Sequence, residues 1–154
     1  MKFVVILVSI LILIVVVFAV LGWYSSRLTP KTMTNETVLQ CGEKPNCVSS
    51  QRVSKPSQLV EPILVSGNKP VDDLVVEAVE ATGGKLVSAD STLIVATYQS
   101  KMFRFIDDVV VKINPAPGRH IDIMSSSRVG HSDFNANRHR VEQLRQILTV
   151  PADQ

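Results

Sequence analysis

Arginine, histidine, aspartate and asparagine side chains are concentrated in one short stretch near the carboxyl end of the chain. We call six of them the polar cluster: Arg128, His131, Asp133, Asn137, Arg138 and Arg140. Guanidinium groups hold carboxylate or phosphate through paired hydrogen bonds, and free backbone N–H groups at a helix start attract anions. One interpretation is therefore a binding site for an anionic small molecule, a lipid head group or a partner protein.

A structural interpretation of the polar cluster is the stronger one. Asp133 is a natural cap for the helix that follows it. Arg128 or Arg138 can pair with a carboxylate of Asp107–Asp108, and Asn137 can satisfy a buried backbone group. We therefore expect a polar network that holds the fold together, with anion binding as the alternative.

Nucleophilic catalysis is a weaker interpretation of the same stretch. His131 and Asp133 lie near several serines, and these are the residue types of a hydrolase triad. A triad is defined by geometry, however, and no nucleophile-elbow motif is present in the sequence. Asp107 and Asp108 do not form a pair of cooperating carboxylates, because neighbouring residues of a strand face opposite sides. We expect no catalytic residue and no cofactor.

The two cysteines of the chain, Cys41 and Cys47, lie close together in sequence. An even number of closely spaced cysteines predicts one disulfide, which would close a loop of about seven residues and contribute roughly 2 kcal/mol. Zinc sites usually contain cysteine pairs two to four residues apart with two further ligands, and redox centres use C-x-x-C. We therefore expect a structural disulfide and no metal, with a metal or redox site as the alternatives.

The chain that must position these groups begins with an uncharged apolar stretch, Phe3 to Trp23. As a helix it would be about 31 Å long, the thickness of a bilayer's hydrocarbon core. Trp23 and Tyr24 are placed as an interfacial aromatic anchor. A cleaved signal peptide would have a shorter apolar region and a clearer cleavage site. We predict a retained transmembrane anchor over residues 1–24.

The remaining 130 of the 154 residues are enough for one domain. Because the anchor removes only Lys2, the net charge falls from +2 to +1, which argues against nucleic-acid binding. The basic residues flanking the span do not decide its orientation. A disulfide favours an oxidising compartment, so we place the domain in the periplasm or an equivalent extracytoplasmic space, on a single span of the inner membrane.

Two segments of different character follow the anchor. Residues 25–68 are rich in Pro, Ser, Thr and Gln without sustained periodicity, which predicts an irregular linker around the cysteine loop. Residues 69–154 begin and end with helical spacing and contain four strand-like runs with short connections, including a turn at 114–118. We predict an α+β domain of about four antiparallel strands with two helices packed on one face.

Three motifs in this order resemble those of one family. They are residues 41–50 (CGEKPNCVSS), 103–108 (FRFIDD) and 127–141 (SRVGHSDFNANRHRV). Together they make residues 41–148 similar to the family catalogued as domain of unknown function 1499. Its members occur in bacteria and plastid-bearing organisms, often behind a membrane or export segment. The resemblance supports the domain assignment and implies no activity, because the family has no established one.

Two functions remain for comparison. A long linker, a nearly neutral domain and the lack of a catalytic motif favour a non-catalytic accessory subunit that docks on a larger membrane protein complex. The alternative is a binding or enzymatic domain that uses Arg128–Arg140 on an anionic small molecule or lipid head group.

Overall fold

The computed structural model describes residues 1–30, 39–114 and 118–149. Three parts of the sequence predictions lie outside these residues: positions 31–38 of the predicted linker, the centre of the predicted turn at 114–118, and the last five positions of the predicted domain.

The chain begins with helix α1 (Lys2–Arg27), which covers the predicted anchor. Its 26 residues span about 39 Å, and its most apolar window has a mean hydropathy of 3.7 with none of that window buried. The helix ends where Leu28 turns extended, two residues before Pro30, which disfavours helical geometry at the residue preceding it. By length and composition α1 can cross a membrane, and a signal sequence would meet the same criteria.

One antiparallel sheet of six strands forms the body of the domain. The strands are β1 (Cys47–Ser49), β2 (Ile63–Leu64), β3 (Lys85–Ala89), β4 (Leu93–Gln99), β5 (Ile106–Ile113) and β6 (His120–Ser127). Their order is β1-β6-β5-β4-β3, and β2 pairs with β6 at the end away from β1. The predicted α+β class is confirmed.

Two helices cover one face of this sheet, as the spacing of their apolar residues predicts. They are α2 (Val71–Ala81) and α3 (Ala136–Thr149). Their buried residues pack on alternate residues of the central strands: Val75, Ala78, Val79, Val141, Leu144 and Leu148 against Ile94, Ala96, Val109, Val111, Ile121 and Ile123. Each Val, Leu or Ile among these side chains contributes about 1.5–3 kcal/mol when fully buried. This packing fixes α3, and with it part of the polar cluster, against the sheet.

The opposite face of the sheet is covered by residues 39–53, which sequence analysis assigns to the linker. A second apolar cluster joins this segment to the strands: Leu39, Cys41 and Cys47 pack against Val95, Val110 and Met124. β1 and β2 also come from the predicted linker, and with three and two residues respectively they are too short to show a strand periodicity. The sheet therefore has six strands rather than about four.

Candidate functional site

Two adjacent carboxylates at the start of β5 organise the polar groups of the domain. Asp107 and Asp108 are both buried and face opposite sides of the sheet, as neighbours on a strand must. Asp107 pairs with Arg140 and Asp108 pairs with Arg128, each at 2.7 Å between nitrogen and oxygen. The two arginines are therefore neutralised separately, on different faces of the sheet.

Arg128 joins the end of the first helix to the sheet. Its Nε lies 3.0 Å from both carboxylate oxygens of Asp108, and its Nη1 donates to the backbone carbonyl of Leu28, just after α1 ends. Next to it, the hydroxyl of buried Ser25 accepts a hydrogen bond of 2.9 Å from the backbone N–H of Ile106. The guanidinium thus uses its donors within the fold.

Arg140 is enclosed on the face that the helices cover. Besides Asp107, its Nη1 reaches Ser125 Oγ at 2.8 Å and the Asn137 side-chain oxygen at 2.6 Å. The guanidinium also lies 4.6 Å from the centroid of the Tyr98 ring, a cation–π contact. Burial raises the pKa of the Tyr98 hydroxyl, and the positive charge of Arg140 opposes that shift. These contacts place a charge-paired arginine between α3 and the sheet.

Asp133 and Asn137 have the structural roles that sequence analysis prefers for them. The Asp133 carboxylate accepts from the backbone N–H of Asn137 at 2.8 Å and of Asn135 at 3.2 Å, which caps the start of α3. The buried Asn137 amide donates to the backbone carbonyl of Asn46 and to Ser127 Oγ, both at 3.0 Å. Asn137 thereby ties the cysteine loop to the helix and to β6.

The last two members of the polar cluster lie apart from the others. Arg138 donates to the backbone carbonyls of Ser57 and Leu59 at 2.8 and 3.0 Å, and His131 is exposed in the loop before α3. The six residues therefore do not converge on one cleft. Among the residues that the structure describes, no group of three or more His, Cys, Asp or Glu side chains is placed to hold a metal ion.

Cys41 and Cys47 form a disulfide, and both residues are buried. The bridge closes the loop that covers the second face of the sheet, where both cysteines pack in the apolar cluster with Val95 and Val110. Asn46, inside the loop, donates to the Gly130 carbonyl at 3.0 Å. The disulfide therefore holds a structural layer in place and fits a domain in an oxidising compartment.

Helix α1 contacts the loop that joins β4 to β5, and no sequence pattern predicts this contact. The Phe18 ring lies 5.1 Å from the Phe103 ring and 6.2 Å from the Phe105 ring, centroid to centroid. Gly22 is packed so closely that a Cβ there would collide with the Phe103 carbonyl oxygen. The FRFIDD motif marks these residues, but nothing in the sequence indicates that they contact a helix some 80 positions earlier.

Comparison with known families agrees with the resemblance of the three motifs. A family model described as "Protein of unknown function (DUF1499)" matches residues 37–148, more than two thirds of the chain. Among proteins with curated descriptions, none matches this sequence.

Proposed function

This chain belongs to the DUF1499 family of proteins of unknown function, and we propose that it is a single-pass membrane protein with an extracytoplasmic domain. In this proposal the domain is a non-catalytic accessory subunit that docks on a larger membrane protein complex. One observation carries the proposal: Arg128, paired with Asp108, bonds to the backbone where α1 ends.

The hydrogen bonds of Ser25 and Arg128 support a role in which the domain is held in a fixed position relative to α1. Ser25 is buried at the end of α1 and exchanges hydrogen bonds with the backbone of Ile106 in β5. Together with Arg128, it fixes the sheet to the helix end. An enzyme that acts on a dissolved substrate needs only a flexible tether to the membrane. A subunit that docks on another membrane protein benefits when its docking surface is held at a fixed distance from the membrane and in a fixed orientation. Preorganisation of this kind lowers the cost of binding.

The exposed sides of α1 and the compartment of the domain support the same accessory role. No residue in the most apolar window of α1 is buried, so the sides of the helix are open to lipid or to other spans. The Cys41–Cys47 disulfide favours a compartment outside the cytoplasm for the domain. The anionic-ligand alternative gains no support, because Arg128 and Arg140 each have a carboxylate partner inside the fold.

The test is co-purification of the full-length protein with a tag at its carboxyl end, from native membranes solubilised in a mild detergent. We expect a defined set of membrane proteins to co-elute in fixed stoichiometry, with the cysteine pair oxidised. A matched variant replaces residues 3–17 by an unrelated apolar helix of equal length and keeps residues 18–28, which contact the domain. Loss of the partner in this variant assigns docking to the span, and retention assigns it to the domain.

A protein that elutes alone from native membranes, with neither version bringing a stoichiometric partner, would overturn the proposal. Reduced cysteines in freshly isolated protein would overturn the extracytoplasmic placement.

A further inference from the structure

We propose that the loop between β4 and β5, residues 100–105, enters the membrane leaflet beside α1, so that the domain rests directly on lipid. This inference relies on the proposed function only in taking α1 as a membrane span. The partner is a bilayer surface with anionic head groups, and the contact requires no other protein.

The depth of the loop follows from its contact with the helix. Trp23 is placed at the level of the membrane interface, where amphipathic aromatic rings settle. Phe18 lies five residues earlier, which is about 7.5 Å deeper along the helix axis. Because the rings of Phe103 and Phe105 contact the Phe18 ring, they lie below the level of Trp23. A loop that reaches Phe18 must pass through the head-group region.

Hydrogen bonds join the first and last residues of the loop. Unpaired backbone groups are costly in a membrane, so these bonds lower the cost of inserting the loop. The Ser100 N–H donates to the Phe105 carbonyl at 2.9 Å, and the Phe105 N–H donates to Ser100 Oγ at 2.9 Å. Arg104 has a φ of 59°, a left-handed conformation that is uncommon for a residue with a side chain. These features close the loop into a compact turn beside Gly22.

The side chains around the turn match a lipid surface in polarity and charge. Met102, at the tip, is 80% exposed in the isolated chain. Lys101 and Arg104 flank it, Arg27 ends α1 nearby, and residues 23–28 and 100–105 contain no acidic residue. Long basic side chains can keep an apolar stem in the acyl region while their charge stays with anionic head groups. The combination is typical of a segment at a membrane interface.

An exposed aromatic residue lies at the same end of the sheet, in the loop after β6. Ser127 pairs with Asp107, so the loop after β6 leaves the sheet where β5 begins, beside the 100–105 loop. That loop carries Phe134, which is 92% exposed and has a φ of 53°. A Phe held outward in a left-handed conformation gives the domain a second apolar contact point facing the membrane.

The experiment places an environment-sensitive fluorophore on the loop of the full-length protein in lipid vesicles. Because both native cysteines are in the disulfide, Met102→Cys introduces a single reactive thiol. The matched control is Leu64→Cys, which is 64% exposed on β2 beside His120, at the far end of β6. The eight residues of β6 separate the two ends by about 24 Å.

In vesicles of phosphatidylcholine and phosphatidylglycerol, we expect blue-shifted emission from the label at position 102. Nitroxides on the upper acyl chains should quench it several-fold more than the label at position 64. Lys101→Glu should reduce this quenching, whereas Lys112→Glu, at the opposite end of β5, should leave it unchanged.

Three results would overturn the inference. Water-like emission at position 102 from protein that floats with the vesicles would place the loop in solvent. Shielding found in native membranes but absent in pure lipid vesicles would assign the surface to a protein partner. Failure of the unlabelled protein to float with vesicles would show that α1 is not a membrane span, which the inference requires. Because the vesicles contain no other protein, lipid contact can be detected whether or not an accessory complex exists.

Discussion

Replacing Asp108 by asparagine is expected to destabilise the domain by about 3–5 kcal/mol, the usual cost of leaving one member of a buried ion pair without its partner. Three contacts of 2.7 to 3.0 Å join Arg128 to the Asp108 carboxylate. The exposed fractions of the Arg128 and Asp108 side chains are only 7% and 5%. Water therefore cannot solvate the guanidinium once its carboxylate partner is gone. An asparagine keeps the shape of the side chain, removes its negative charge and replaces one of the two oxygens that accept hydrogen bonds from Arg128 by an N–H donor.

The assay is urea unfolding of the full-length protein in detergent micelles, followed by far-UV circular dichroism, since α1 should stay helical in the micelle while the domain unfolds. For an m-value of about 2 kcal/mol per molar urea, the midpoint should fall by roughly 2 M. The matched control is Glu77→Gln, because Glu77 and Lys69 form an exposed pair with side-chain exposures of 57% and 58%. Its midpoint should not change measurably, because solvent screens such pairs.

A double variant separates the loss of charge balance from the loss of the pair itself. Arg128→Met combined with Asp108→Leu removes both charges, and we expect it to recover most of the stability lost in Asp108→Asn, since apolar replacement of a buried pair is often neutral. An Asp108→Asn midpoint equal to that of Glu77→Gln would refute the reasoning. A double variant no more stable than Asp108→Asn would also refute it.

Three further predictions concern other parts of the molecule. Gly22→Ala should push α1 away from Phe103 and shift the emission of the single tryptophan; an unchanged spectrum would contradict the close contact. Replacing both Cys41 and Cys47 by alanine should cost about 2 kcal/mol, and a reducing agent should lower the midpoint of the parent protein but not of this variant. Burial acts to raise the pKa of Asp122, but hydrogen bonds from neighbouring side chains outweigh it and hold this pKa below 3.8. The stability that these bonds supply is present above pH 3.8 and is lost as the pH falls through the lower folded pKa, so Asp122→Asn should make the acid decline of the urea midpoint less steep.

The parts of the fold that could be predicted are those with long periodic patterns. α2, α3, β5 and β6 show their period over several residues, and their face assignments follow from it, whereas β3 is exposed along its whole length. β1 and β2 are too short to show a period, and they form because the edge of β6 that faces away from β5 offers unpaired backbone N–H and C=O groups. Residues 39–53 cover the second face because the disulfide loop packs against Val95 and Val110. The pattern of a single strand shows that these valines share a face, but it does not show which distant segment covers them.

The candidate site was predictable in the roles of single residues and not in their pairing. Asp133 precedes a helical pattern, so its capping role follows from local sequence. Which carboxylate each arginine binds depends on strand direction: Arg128 extends from the end of β6 next to Asp108, whereas Arg140 reaches Asp107 from α3. The register of β5 with β6 and the docking of α3 fix these partners, and neither can be read from spacing alone.

The three motifs that identify the family meet at one end of the sheet, beside α1. Asn46 of the first bonds to Gly130 of the third, and the aspartates of the second pair with arginines of the third. Phe103 of the second motif contacts the span, and Arg128 of the third bonds to the backbone just after it. The second and third motifs thus attach the domain to its helix, and the first motif is bonded to the third. Residues that select a particular partner are therefore expected outside the motifs. Exchanging the exposed surface of β3 between two family members should then change what co-purifies if the domain carries the docking surface.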